Sequence, residues 1–126
     1  MMPLAVLMNK NISAVGADDT LKQVAERMLA DRVGAVLVKQ DGAYAGILSE
    51  TDIVRRAVAV GTDPASCQAK TVMSSPLITI DINQTLVEAN QIMSESSIRH
   101  LVVTERGDVV GIISVRDLVI YFKNRI

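Results

Sequence analysis

A serine followed three residues later by an aspartate occurs twice in nearly the same surroundings, Ser49 and Asp52 inside GILSETD and Ser114 and Asp117 inside GIISVRD. Two kinds of chemistry fit a hydroxyl and a carboxylate at this spacing. One is local: a serine at a helix N-cap accepts from the amide three residues on, and the acid at that position accepts from the serine amide. Such a capping box contributes about 1 kcal/mol per helix. The other is recognition: the carboxylate accepts from both hydroxyls of a sugar diol, and the helix start beside it favours phosphates. A carboxylate has lone pairs enough for both. Repetition does not choose, because duplication copies a cap as readily as a site.

Few other residues carry chemistry. His100 is the only histidine and Cys67 the only cysteine, too few for a structural zinc site or an internal disulfide. Arg99 stands before His100, and strict strand alternation would point the two to opposite faces unless the strand begins at His100. Arg116 precedes Asp117, and its counterpart Thr51 carries no charge. Arg55-Arg56 reads as a solvated helix face. No general acid–base pair or activated nucleophile has a recognisable context, so no catalysis is expected.

The elements that must position these residues are themselves written twice. Displacing the chain by 65 residues puts Met8 on Met73, Thr20-Leu21 on Thr85-Leu86, Met28 on Met93, Gly42 on Gly107 and Gly46-Ile47 on Gly111-Ile112, with no gap. A fixed period of this kind settles architecture before anything else does. Each copy starts with a short extended piece (Ile12–Val15, Leu77–Ile80). A helix follows, whose stripe Leu21, Val24, Ala25, Met28 and Leu29 has the i, i+3, i+4, i+7 spacing. Asp18 or Asp19, and Asn83 or Gln84 in the second copy, are candidate caps. Then come an apolar strand (Ala35–Val38, Leu101–Val103), a turn at Asp41-Gly42 or Arg106-Gly107, and a second strand (Tyr44–Leu48, Val109–Ile113). A final helix starts near Ser49 or Ser114, and 61–72 reads as a linker around Gly61-Thr62-Asp63-Pro64. The expected fold is α+β: two tandem β-α-β-β-α repeats, 1–62 and 63–126 (linker included), related by a pseudo-twofold. One such unit would be marginal alone, so the sheets are expected to pack face to face.

Composition narrows the function classes. A net charge of −1 offers no basic field for nucleic acid, and three aromatics without tryptophan give no stacking platform for single strands. The N-terminal MMPLAVLM is too short for a signal peptide, and no apolar run approaches a membrane span. A cytoplasmic protein without nucleic-acid or membrane partners is expected.

The tandem order, the endings AGILSETDIV and VGIISVRDLV, and the segment SSIRHLVVTERGDVVGIISVRDLV resemble the cystathionine-β-synthase (CBS) domain family over almost the whole chain. The resemblance implies a stand-alone CBS pair, or Bateman module, with adenosine-type ligands in clefts between repeats. Carried over, one cleft takes ribose contacts from Ser49 and Asp52 and an adenine wall from Ile78 and Ile98. The other uses Ser114 and Asp117 for ribose, with Ser13, Val33 and the open backbone at Gly34-Ala35 around the base. Arg99, His100 and Arg116 are candidates for phosphate. The expected function is a regulatory module sensing AMP, ADP or ATP, with NAD or S-adenosylmethionine as other possible ligands and no resident cofactor or metal. The alternative is a ligand-free dimerisation or interaction module whose Ser-x-x-Asp motifs are only caps. The apolar surplus of the final helices (Val54, Ala57, Val58, Val60; Leu118 to Phe122) implies a homodimer through them. An effector protein that reads the module is expected but not named by the sequence.

Overall fold

The computed structural model describes residues 2–123; Met1 and 124–126, the outer ends of the two expected repeats, lie outside the described residues. In chain order the elements are α1 (Leu4–Leu7), β1 (Ala14–Gly16), α2 (Leu21–Asp31), β2 (Ala35–Gln40), β3 (Ala43–Ser49) and α3 (Glu50–Ile53). A π-helical turn at Val54–Val58 extends α3. Then follow α4 (Ala69–Val72), β4 (Thr79–Asp81), α5 (Leu86–Ser96), β5 (His100–Glu105), β6 (Asp108–Ser114) and α6 (Val115–Lys123). This is the expected α+β plan of two β-α-β-β-α repeats, each with a three-stranded mixed sheet, β1-β2-β3 and β4-β5-β6.

The chain forms two compact units, Ser13–Leu77 and a second made of Met1–Ile12 with Ile78–Ile126. The first is one continuous stretch. Its core is Val15, Leu21, Val24, Met28, Val36, Val38, Leu48, Ala57, Ala69 and Val72. The other unit repeats the plan with Ile80, Leu86, Ala89, Met93, Leu101, Val103, Ile113, Leu118 and Tyr121, and adds Leu4 and Met8 from α1 and its end. The segment ahead of each repeat therefore packs in the unit that holds the other repeat's sheet. Asn9 bridges Ile112 of β6, and Ser74 bridges Ile47 of β3. Residues 61–72, expected as a linker, carry α4 and donate two buried residues to the first core.

The two strand glycines explain how close this packing is. A Cβ at Gly46 would lie 2.7 Å from Met73 Sδ and 2.8 Å from the Ser74 carbonyl; one at Gly111 would lie 2.6 Å from Met8 Sδ. Contacts that short are forbidden to real Cβ atoms, so each strand presents bare backbone to its covering segment. The hairpins turn at Asp41-Gly42 (φ 53° and 80°) and Arg106-Gly107 (φ 53° and 83°). Two consecutive positive φ values are the type I′ geometry whose twist matches the flanking strands.

One expectation about helix starts is corrected. The caps of α2 and α5 are Thr20 and Thr85, not the Asp or Asn–Gln residues before them. Thr20 accepts from the Gln23 amide while Gln23 Oε1 accepts from the Thr20 amide, a complete capping box. Asp19 instead accepts from the Gly16 amide at 2.7 Å, closing the turn ahead of the helix, and Asp18 pairs with Lys70 at 2.9 Å. Ser-Thr-Asx residues compete for the same donors, and the one with an amide or acid three positions on wins.

Candidate functional site

Each Ser-x-x-Asp pair stands where the last strand of a sheet runs into a helix. Ser49 ends β3 opposite Ala35, and Gly34 C=O accepts from the Glu50 amide at 3.0 Å. In the other unit Ser114 ends β6 opposite His100, and Arg99 C=O accepts from the Val115 amide at 2.9 Å. The sheet register thus places Gly34-Ala35 beside the first motif and Arg99-His100 beside the second, each within its own unit. β5 begins at His100, so Arg99 lies ahead of the strand, the condition under which alternation does not separate the two.

Both capping boxes are closed. Asp52 Oδ2 accepts from the Ser49 amide at 2.9 Å and from its hydroxyl at 3.0 Å, while Ser49 Oγ accepts from the Asp52 amide at 3.2 Å. Asp117 Oδ2 does the same toward Ser114 at 2.8 and 2.9 Å, with 3.2 Å for the return bond. The caps therefore occupy one oxygen of each carboxylate. The second oxygen differs between repeats. Asp52 Oδ1 faces the Arg56 guanidinium at 3.9 Å, whereas Asp117 forms no ion pair with any described residue. Arg56 Nη1 also donates to Ser74 Oγ at 3.3 Å. Arg56, expected on a solvated helix face, is exposed there and lies beside the motif. The pair is i, i+4, a spacing visible in the sequence.

The remaining expected site residues fall into two groups. Ser13 is nearly buried at the start of β1, where its hydroxyl donates to Asp31 Oδ2 at 2.7 Å. Asp31 was missed, since nothing in the sequence links residues 18 positions apart. Val33 is half-buried against the first core, and Ile98 occupies the matching place on the second. Ile78 is 41 % exposed. Arg99 and Arg116 are exposed, and His100 is half-buried. No group of three or more His, Cys, Asp or Glu side chains among the described residues is placed to hold a metal. No described helix is long and apolar enough to cross a membrane.

These features have known counterparts. The profile of the CBS domain matches residues 5–59 and 69–124. The CBS domain-containing protein YhcV of Bacillus subtilis is 31 % identical over 113 residues, covering 90 % of this chain and 80 % of its own length. Among solved structures, an uncharacterized conserved protein from Pyrococcus horikoshii superposes with a TM-score of 0.89 at 30 % identity, over 98 % of this chain and 94 % of that one. A candidate signal-transduction protein with CBS domains from Burkholderia ambifaria gives 0.86 at 27 %, over 90 % and 83 %.

Proposed function

Because this chain belongs to the CBS domain family and carries two such domains in tandem, we propose that it is a regulatory module that binds adenosine-type nucleotides, AMP, ADP or ATP. The ribose of a nucleotide is held by Asp52 or Asp117 with the neighbouring serine, and Arg99, Arg116 and His100 serve its phosphates. The observation that supports this reading is the division of labour in the carboxylates: Oδ2 closes the cap, and Oδ1 of Asp117 is left as an acceptor for a sugar hydroxyl. Binding biases the module toward one state, and an effector protein reads that state. No catalytic step is part of the proposal.

The closed capping boxes also support the second reading, a ligand-free interaction module in which these residues only start helices. A thermal-shift screen with AMP, ADP, ATP, NAD and S-adenosylmethionine separates the two. A ligand bound only by the folded state adds about 2.7 kcal/mol at a hundredfold excess over Kd. On the nucleotide reading, Asp52→Asn and Asp117→Asn each weaken binding about 10- to 100-fold at their own repeat, the loss of one charge-assisted acceptor. Unliganded stability changes by only a few tenths of a kcal/mol. Calorimetry on the single and double variants reads this directly, and undiminished binding in the double variant returns the motif to its role as a cap.

The module further forms a homodimer in this proposal. Val54, Val58 and Val60 in one unit, and Val119, Ile120 and Phe122 in the other, are all at least 45 % exposed. Apolar side chains clustered on helices in this way mark an interaction surface. Sedimentation should give a dimeric mass for the wild type and a monomeric one for Val58→Glu with Val119→Glu; a monomeric wild type at micromolar concentration removes the proposal.

A further inference from the structure

In the first repeat a single nitrogen faces three oxygens. Arg56 Nη1 lies 3.3 Å from Ser74 Oγ, 3.5 Å from the Met73 carbonyl and 3.9 Å from Asp52 Oδ1. A terminal guanidinium nitrogen carries two protons, so it cannot satisfy all three at once. Asp52 belongs to the capping box, whereas Met73 and Ser74 belong to the segment that covers β3. Motif and segment therefore compete for one donor group. The carboxylate brings charge to that contest, and the segment brings the nearer oxygens.

The segment meets the sheet through a pair of backbone bonds. Ile47 N–H donates to the Ser74 carbonyl at 3.0 Å, and Ser74 N–H to the Ile47 carbonyl at 2.8 Å. From there it runs on to Leu77, where the unit ends. The other repeat has the same pair of bonds, between Asn9 and Ile112 at 2.8 and 3.1 Å. There the residue aligned with Arg56 is buried Tyr121, which brings no cation to share.

We propose that Arg56 is a positioning residue that couples the Ser49–Asp52 motif to the segment covering β3, a conformational device of the first repeat. When Asp52 draws the guanidinium, the segment's hold on β3 weakens. When a hydroxyl or another neutral donor takes Asp52 Oδ1, the guanidinium passes to Ser74 and Met73, and the hold tightens. An occupant of Asp52 thereby acts on the stretch of chain that leaves the unit. The coupling lies within this chain and does not rest on the nucleotide reading.

Amide hydrogen exchange, read by NMR on the full chain without ligand, tests this. Asp52→Asn keeps the capping acceptor and removes the charge, so exchange at the Ile47 and Ser74 amides should slow about twofold. Arg56→Ala should speed it about twofold, and adding Asp52→Asn to that variant should change nothing further. The Asn9 and Ile112 amides should keep their wild-type rates throughout. A merely structural Arg56 would let Asp52→Asn act equally with and without it, and that result overturns the proposal. So does a change shared by Asn9 and Ile112, which marks general loosening. Where Asp52→Asn disturbs the cap itself, salt gives the second measurement. Raising it screens the ion pair more than the neutral bonds, so the same two amides should slow in the wild type and not in Arg56→Ala. An equal salt response in both proteins overturns the coupling as well.

Discussion

The helices that follow the two Ser-x-x-Asp motifs share a first turn and then part. In the second repeat α6 is regular, and its buried residues, Leu118 and Tyr121, lie three apart. In the first repeat half-buried Ile53 and buried Ala57 lie four apart. The difference is the π turn: Ala59 N–H reaches Val54 C=O and Thr62 N–H reaches Ala57 C=O, five residues back in each case. This wider turn rotates the next side chains by about one position. Arg56, which aligns with buried Tyr121, is turned outward and meets Asp52; Ala57, which aligns with exposed Phe122, is turned inward. The comparison teaches that the cap-bearing turn and the rest of its helix are separable. The motif keeps its geometry in both copies, while the register one turn later is free to change what stands over it.

Two measurements would break or sharpen this contrast. The larger effect is in packing. Tyr121 anchors the second core with its ring edge-on to Phe122 at 5.1 Å, so Tyr121→Ala should lose about 3–4 kcal/mol in urea denaturation. Arg56→Ala at the aligned position should lose no more than about 0.5 kcal/mol, the worth of an exposed i, i+4 pair. Comparable losses would mean that the π turn has not exchanged inside for outside.

The smaller effect separates α2 from α5 by pH. Gln23 completes the capping box of α2 and does not titrate, whereas Glu88 stands at the same place in α5. Hydrogen bonds from the Gln84 amide and the Thr85 hydroxyl hold the Glu88 carboxyl below its ordinary value of 4.5. A carboxyl depressed in the folded state stabilises fully above its unfolded pKa, and that contribution fades as pH falls through the folded one. Urea midpoints measured from pH 7 downward should therefore drop more for the wild type than for Glu88→Gln, with the difference opening below about pH 4.5. Parallel curves would show that the two caps are electrostatically alike.

Much of this architecture was legible in the chain. The continuous apolar run Ala35–Val38, the stripe of α2 and the Asp41-Gly42 turn each obey a local rule, and the duplication repeats each of them. Other features depend on choices that local rules leave balanced. Asp19 and Thr20 are equally acceptable caps until the Gln23 side chain is placed. Ile53, Val54, Ala57 and Val58 fit an ordinary α-helix, and nothing in apolar spacing announces a five-residue hydrogen bond. At the candidate site, the Ser-x-x-Asp boxes were readable because their partners lie three residues apart. Ser13 and Asp31 were not, because a strand start and a helix end meet only in the folded unit. The exchange of leading segments was hidden for the same reason, since a linker and a docked helix have similar compositions.

That exchange sets a timetable for the chain's biosynthesis. The Ser13–Leu77 unit is one continuous stretch, so all its parts are present once Leu77 has been made. Leu4, Met8 and Asn9 emerge before it, yet Asn9 pairs with Ile112, roughly a hundred residues later, about 5–20 s at ordinary elongation rates. Through that interval Leu4 and Met8 wait for the strands and helices of their own core, while the Ser13–Leu77 stretch has already been made. Two repeats of one plan thus mature by different routes, one from a continuous stretch and the other by the delayed pairing of residues 4–9 with strands made much later.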